Sequence, residues 1–93
     1  MIKSDLLAFK YWKLSADQGF AEAQFNVGVY YRQGTGVEQS DSEACKFYEL
    51  AANQGIHHAQ GNLGQMYEEG RGVNQSDSLA FKFFKLCKRS RCD

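Results

Sequence analysis

Apolar and small side chains recur along the chain at steps of three and four, the spacing that lines one face of an α-helix. Ala8, Tyr11, Trp12 and Ser15 share such a face, predicting a helix from Ser4 to about Gln18 with Ser4 or Asp5 as cap and Gly19 as stop. Phe20, Ala23, Val27, Tyr30 and Tyr31 form the inner face of a second helix, from about Ala21 to Gln33, which Gly34 closes. Ala44, Phe47, Tyr48 and Ala51 mark a third, ended by Gly55, and Ser40 with Glu43 three residues on reads as its capping box. A fourth helix is expected over His57–Glu69. A fifth runs from Ser76 to about Arg89 and presents Ala80, Phe83, Phe84 and Cys87. The connections 34–39 and 70–75 have an ordinary helix–helix length.

The pattern repeats. Gly34-Thr35-Gly36-Val37 returns 36 residues later as Gly70-Arg71-Gly72-Val73. At the same offset Gly19 pairs with Gly55, Ala23-Gln24 with Ala59-Gln60, Gly28 with Gly64, Tyr31 with Tyr67 and Leu50 with Leu86. Ser4, Ser40 and Ser76, then Asp5, Asp41 and Asp77, then Ala8, Ala44 and Ala80 make three columns that recur three times. A constant stride of this size marks a solenoid of helix pairs. A glycine inside a helix costs about 1 kcal/mol against alanine. Gly28 and Gly64 therefore make sense where a neighbouring helix approaches the backbone closely, and Val37 is the apolar plug of its loop. The expected fold is all-α, an α/α superhelix, with one lone helix ahead of two antiparallel helix hairpins. Its divisions are residues 1–19, a half repeat, then 20–55 and 56–93.

Ala21-Glu22-Ala23-Gln24, Gly28, Tyr31, Gly34-x-Gly36-Val37, Ala44 and Ala51-Ala52-x-Gln54-Gly55 together resemble the Sel1-like repeat, a relative of the tetratricopeptide repeat. The likeness covers nearly the whole chain. It implies an α-solenoid that works as an adaptor, gathering other proteins into complexes. The second copy departs from the pattern at His57-His58 and Gly61, and the last helix departs at Cys87-Lys88-Arg89-Ser90-Arg91.

Composition adds limits rather than a function. Formal net charge is +0, so no global field steers the chain to nucleic acid or an anionic membrane. The apolar runs are too short for a bilayer span, and Met1-Ile2-Lys3-Ser4-Asp5 is no export signal, so a cytoplasmic location is favoured. Cys45, Cys87 and Cys92 are too few for a disulfide framework, although Cys87 and Cys92 could close a small one under oxidation. Lys82, Lys85, Lys88, Arg89 and Arg91 complement a helix C-terminus; a patch for acidic partners or nucleic acid is the alternative reading.

The face opposite the packing columns carries the expected site. Glu22, Phe25, Val29 and Arg32 lie on it in the first copy, and His58, Gly61, Gln65 and Glu68 in the second. These positions vary while the packing columns stay constant, as a ligand surface permits and a core does not. In tetratricopeptide-like solenoids this is the concave face, which implies a protein or peptide partner there. No catalytic residue, metal or cofactor is assigned. Adjacent His57 and His58 diverge on a helix, Cys45 with one of them is the sole nucleophile–base pair, and no phosphate cradle is present. The competing readings are a hydrolase of the cysteine-rich Sel1-like type and a structural segment of a longer array. Neither a small-molecule substrate nor a membrane is expected. Leu6, Leu7, Phe9 and Trp12 at one end and Phe81, Phe84 and Leu86 at the other should be bare, favouring self-association or a longer parent protein.

Overall fold

The computed structural model describes residues 2–89, which form five helices in order: α1 (Ile2–Asp17), α2 (Ala21–Gln33), α3 (Asp41–Asn53), α4 (His57–Glu69) and α5 (Asp77–Arg89). Each helix packs chiefly on the one before and the one after it, and the stack measures 39 × 22 × 21 Å. The architecture is the expected all-α solenoid.

The number of neighbours sets the depth of burial. α3 lies between α2 and α4, and Ala44, Cys45, Phe47, Tyr48, Ala51 and Ala52 are all buried. α5 rests on α4 and buries Ala80, Phe83 and Cys87. Two apolar clusters result. One joins Tyr48, Leu63, Met66 and Phe83 to the alanines of α3 and α4; the other joins Ala16, Ala23, Val27 and Phe47. Fully burying a side chain such as Leu63 is worth about 1.5–3 kcal/mol.

The small residues do what the sequence predicts. A Cβ on Gly28 would stand 2.7 Å from the Tyr48 ring, and one on Gly64 would stand 3.0 Å from Phe84 and 3.3 Å from the Ala80 carbonyl. The glycine corners go further. Gly36 and Gly72 have φ of 71° and 74°, where a side chain is strained. A Cβ there would lie 2.4 Å from the carbonyl oxygens of Asp5 and Asp41 respectively. Each loop thus seats its second glycine against the backbone of the helix two places earlier, and Val73 joins the larger cluster.

Gln54 ties the first hairpin to the preceding turn: its amide donates to the Gly19 carbonyl at 3.0 Å and to Gln24 Oε1 at 2.8 Å, while Gln24 Nε2 donates to the Ala16 carbonyl. In the second copy Gln60 Nε2 donates to the Ala52 carbonyl, but its buried Oε1 has no partner among the described residues.

Several expectations are corrected. α1 begins at Ile2, so Ser4 and Asp5 lie inside the helix rather than at its cap. The capping box at Ser40 is half made. Ser40 Oγ accepts from the Glu43 amide at 3.1 Å, but the Ser40 amide donates to the Tyr31 carbonyl, leaving the Glu43 carboxylate to Lys46. Ser76 repeats this arrangement with Leu79, which explains why no acid is needed at that position. Ser40→Ala should cost about 1 kcal/mol. In thermal melts that is a drop of about 4–8 °C.

Phe20, expected inside, is 60% exposed because it precedes α2 as its extended cap residue. Phe9, expected bare, packs on Tyr30 and Tyr31 with ring centroids 6.3 and 5.3 Å apart. Leu86 is only half-buried rather than bare, packed against the larger cluster. Leu6, Leu7, Trp12, Phe81 and Phe84 are exposed, and so is Tyr11.

Candidate interaction surface

The expected face on α2 and α4 is built from the two copies of one helix position set, and α3 covers part of it through Tyr48. Glu22 is exposed in the first turn of α2, where a negative charge suits the helix N-terminus; Arg32 stands in the last turn, where a positive charge does. Between them Phe25 and Val29 are half-buried and pack against the larger core cluster. The Phe25 ring lies 5.8 Å from Tyr48 on one side and 6.2 Å from His58 on the other. One residue of the first copy and one of the second therefore meet through a single phenylalanine.

Along α4, His58, Gln65 and Glu68 are exposed. His58 lies beside His57, ring centroids 4.4 Å apart, so the two rings meet rather than diverge as expected, and Gln65 donates to Glu69 at 3.3 Å. The result is an apolar floor, Phe25 and Val29, edged by imidazole, amide and charge of both signs. Such a surface can hold a peptide side chain on the floor and orient it from the edge.

Sequence reasoning missed Tyr48 as the buried support beneath this floor. Its ring is buried with the Arg32 guanidinium near its hydroxyl; burial nevertheless dominates and pushes the phenol above its ordinary pKa. The signal was present in the columns. Where Tyr48 has a hydroxyl the first copy supplies Arg32; where Phe84 has none, the second supplies Glu68.

Cys45 is buried in the α3–α4 contact, with its Sγ 3.5 Å from Met66 Sδ and donating to the Arg71 carbonyl at 3.3 Å. Met66 is nine residues from His57, about 13 Å along the helix axis, so neither histidine serves Cys45 as a base. Burial, with Asp41 and Glu49 adding to it, pushes the thiol from 9.0 to about 11. That is opposite to the shift a nucleophilic cysteine needs. Because the folded value lies above the unfolded one, the stability this thiol contributes is fully present below pH 9 and is lost towards pH 11. Melting temperature should therefore fall across that interval, less steeply in Cys45→Ala, and alkylating reagents should leave native Cys45 unmodified at neutral pH.

Among the described residues no group of three or more His, Cys, Asp or Glu side chains is placed to hold a metal, and no helix is long and apolar enough to cross a membrane. Cys87 is buried, and Cys92 lies outside the described residues together with Ser90 and Arg91.

Helix pairs stacked at a fixed stride, joined by glycine corners and closed by small residues, define a helical-repeat solenoid of the tetratricopeptide-like class. The family model of the Sel1 repeat matches residues 1–20, 21–56 and 57–86, and the chain belongs to that family, whose members are generally protein-interaction scaffolds. Several solved structures are similar, two of which illustrate the match. A Sel1 repeat protein from Oxalobacter formigenes shares 33% identity over 91% of this chain, with a TM-score of 0.90. c5321, a protective antigen present in uropathogenic Escherichia coli strains and displaying an SLR fold, shares 36% identity over 88% of this chain, with a TM-score of 0.85. The chain spans 35% and 18% of those two proteins. No curated protein matches it.

Proposed function

We propose that this chain is a non-enzymatic adaptor that binds a protein or peptide partner on the concave face formed by Glu22, Phe25, Val29 and Arg32 of α2 and His58, Gln65 and Glu68 of α4. Residues 20–55 and 56–93 are its two repeat units, and 1–19 is a half unit. The observation that carries the reading is the contrast within one sequence: Ala23/Ala59, Gly28/Gly64, Tyr31/Tyr67 and Ala44/Ala80 are identical at the helix contacts, and every pair on this face, Glu22/His58, Phe25/Gly61, Val29/Gln65 and Arg32/Glu68, differs. The half-buried Phe25, bridging Tyr48 and His58, supplies the kind of aromatic anchor on which binding energy concentrates. The buried, high-pKa Cys45 supports the non-enzymatic part of the reading.

Phe25 and Val29 contribute to the core, so their truncation would weaken the fold as well as the surface. The exposed rim carries the test. A photo-crosslinking residue is placed at His58 or Gln65, and for comparison at Lys46 or Leu50 on the exposed side of α3, in extracts of the source organism. Specific protein adducts from the α4 positions alone are expected. Adducts from the α3 positions alone would move the binding surface elsewhere.

A further inference from the structure

α1, α3 and α5 end in one column, at Asp17, Asn53 and Arg89. After α1 and α3 the chain makes the same turn. The Phe20 amide donates to the Ser15 carbonyl at 3.3 Å and the Gly19 amide to the Ala16 carbonyl at 2.9 Å. One stride later, Ile56 donates to Ala51 at 3.1 Å and Gly55 to Ala52 at 3.0 Å. Such paired bonds are the Schellman close of a helix, with the glycines left-handed at φ 99° and 94°. The motif sets the residue after the glycine beside the residue whose carbonyl it bonds, and Ile56 and Ala51 accordingly pack in one cluster.

The third copy keeps the helix and changes the chemistry of its close. Arg91 stands in the glycine column, whose left-handed backbone strains any residue with a side chain. Ser90 stands in the column of Gln54, the residue that donates to Gln24 Oε1; the matching oxygen of Gln60 is buried with no partner among the described residues. In the columns of Ala51 and Ile56, the two that the turn brings together, stand Cys87 and Cys92. Cys87 is buried and disulfide-bonded, and Cys45 is a free thiol. We propose that Cys87 and Cys92 form an oxidation site, whose disulfide closes the end of α5 in place of the glycine turn and the glutamine clasp. The oxidant is a small-molecule or protein disulfide, R–S–S–R. One cysteine thiolate attacks it and releases one R–SH; the other thiolate then displaces the second R–SH from the mixed disulfide. The cysteine sulfurs give up an electron pair to the oxidant, and their protons end on the released thiols.

The test uses the full chain, equilibrated with glutathione disulfide or with dithiothreitol, then denatured, alkylated and digested with trypsin. Cleavage after Lys85, Lys88 and Arg91 leaves the two cysteines in separate peptides, Leu86–Lys88 and Cys92–Asp93, which only a disulfide holds together. Mass spectrometry should find that linked pair in the oxidised protein, with Cys45 alkylated. The oxidised protein should also melt about 4 °C or more above the reduced one. Cys92→Ser should melt like the reduced protein in either buffer. Adding Arg91→Gly to that variant should recover part of the difference, because glycine restores the turn. Cys87 and Cys92 recovered as free thiols or glutathione adducts after oxidation would overturn the proposal, as would Cys87 linked to Cys45 or to a second molecule. A linked pair with no change in melting temperature, or no gain from Arg91→Gly, would overturn its closing role.

Discussion

Gly72→Ala is expected to destabilise the protein by about 2–5 kcal/mol and to lower its melting temperature by at least about 10 °C. Two effects combine at this position. The backbone is left-handed, φ 74°, which costs a non-glycine residue about 1–2 kcal/mol. The added Cβ would also stand 2.4 Å from the Asp41 carbonyl and 2.9 Å from the Ser42 amide nitrogen. Both are backbone atoms of a helix start and neither can swing aside, so the loop must lift and weaken the seating of Val73 and the Arg71–Asp41 pair. Gly55→Ala separates the two effects. Gly55 is also left-handed, at φ 94°, but nothing lies within 4 Å of its added Cβ. It should lose only the conformational part, about 1–2 kcal/mol. Equal losses at the two sites would mean that the corner is not seated on α3.

Tyr48→Ala should cost about 3–5 kcal/mol, whereas Trp12→Ala, in the same column one stride earlier, should cost about 1 kcal/mol or less. The larger side chain is removed in the cheaper variant, so size cannot explain that order. Tyr48 is held by Gly28 beneath it and Phe25 beside it, and it is 1% exposed. Removing it leaves a cavity in the cluster that joins α3 to its neighbours. Trp12 is 38% exposed, with none of the described helices over it. Phe84, in the third copy of the column, rests on Gly64 yet is also 38% exposed, and should fall between the two. Chemical denaturation of the three variants, with slopes compared to confirm a common transition, gives the ranking.

The repeat unit was legible because its causes are local or recur. Helix spacing, a glycine under an aromatic ring and a glycine at a left-handed corner each leave a residue type in place, and the constant stride shows which of those residues are not accidents. What the sequence could not show is which neighbour covers a given face. Tyr11 and Trp12 carry the packing pattern without the packing, and Phe9 is sheltered by Tyr30 and Tyr31, because only the stacking order decides where a helix finds company. Caps were read half correctly for a related reason. The Ser40 hydroxyl bond is local, but the partner of its amide, the Tyr31 carbonyl, lies nine residues back across the loop. On the α2/α4 face the variable positions could be read from the columns. The union of Phe25 with His58, and of Phe25 with Tyr48, needed the fold to bring separate elements together.

The seating of each glycine corner on the helix two places before it is the contact that turns helix pairs into a stack. Nuclear Overhauser effects between the Gly36 α-protons and the Leu6 amide, and between the Gly72 α-protons and the Ser42 amide, report that contact in solution. Strong cross-peaks at both corners are the predicted result. Cross-peaks at neither, with the helices intact, would show that the hairpins do not stack and would contradict the account.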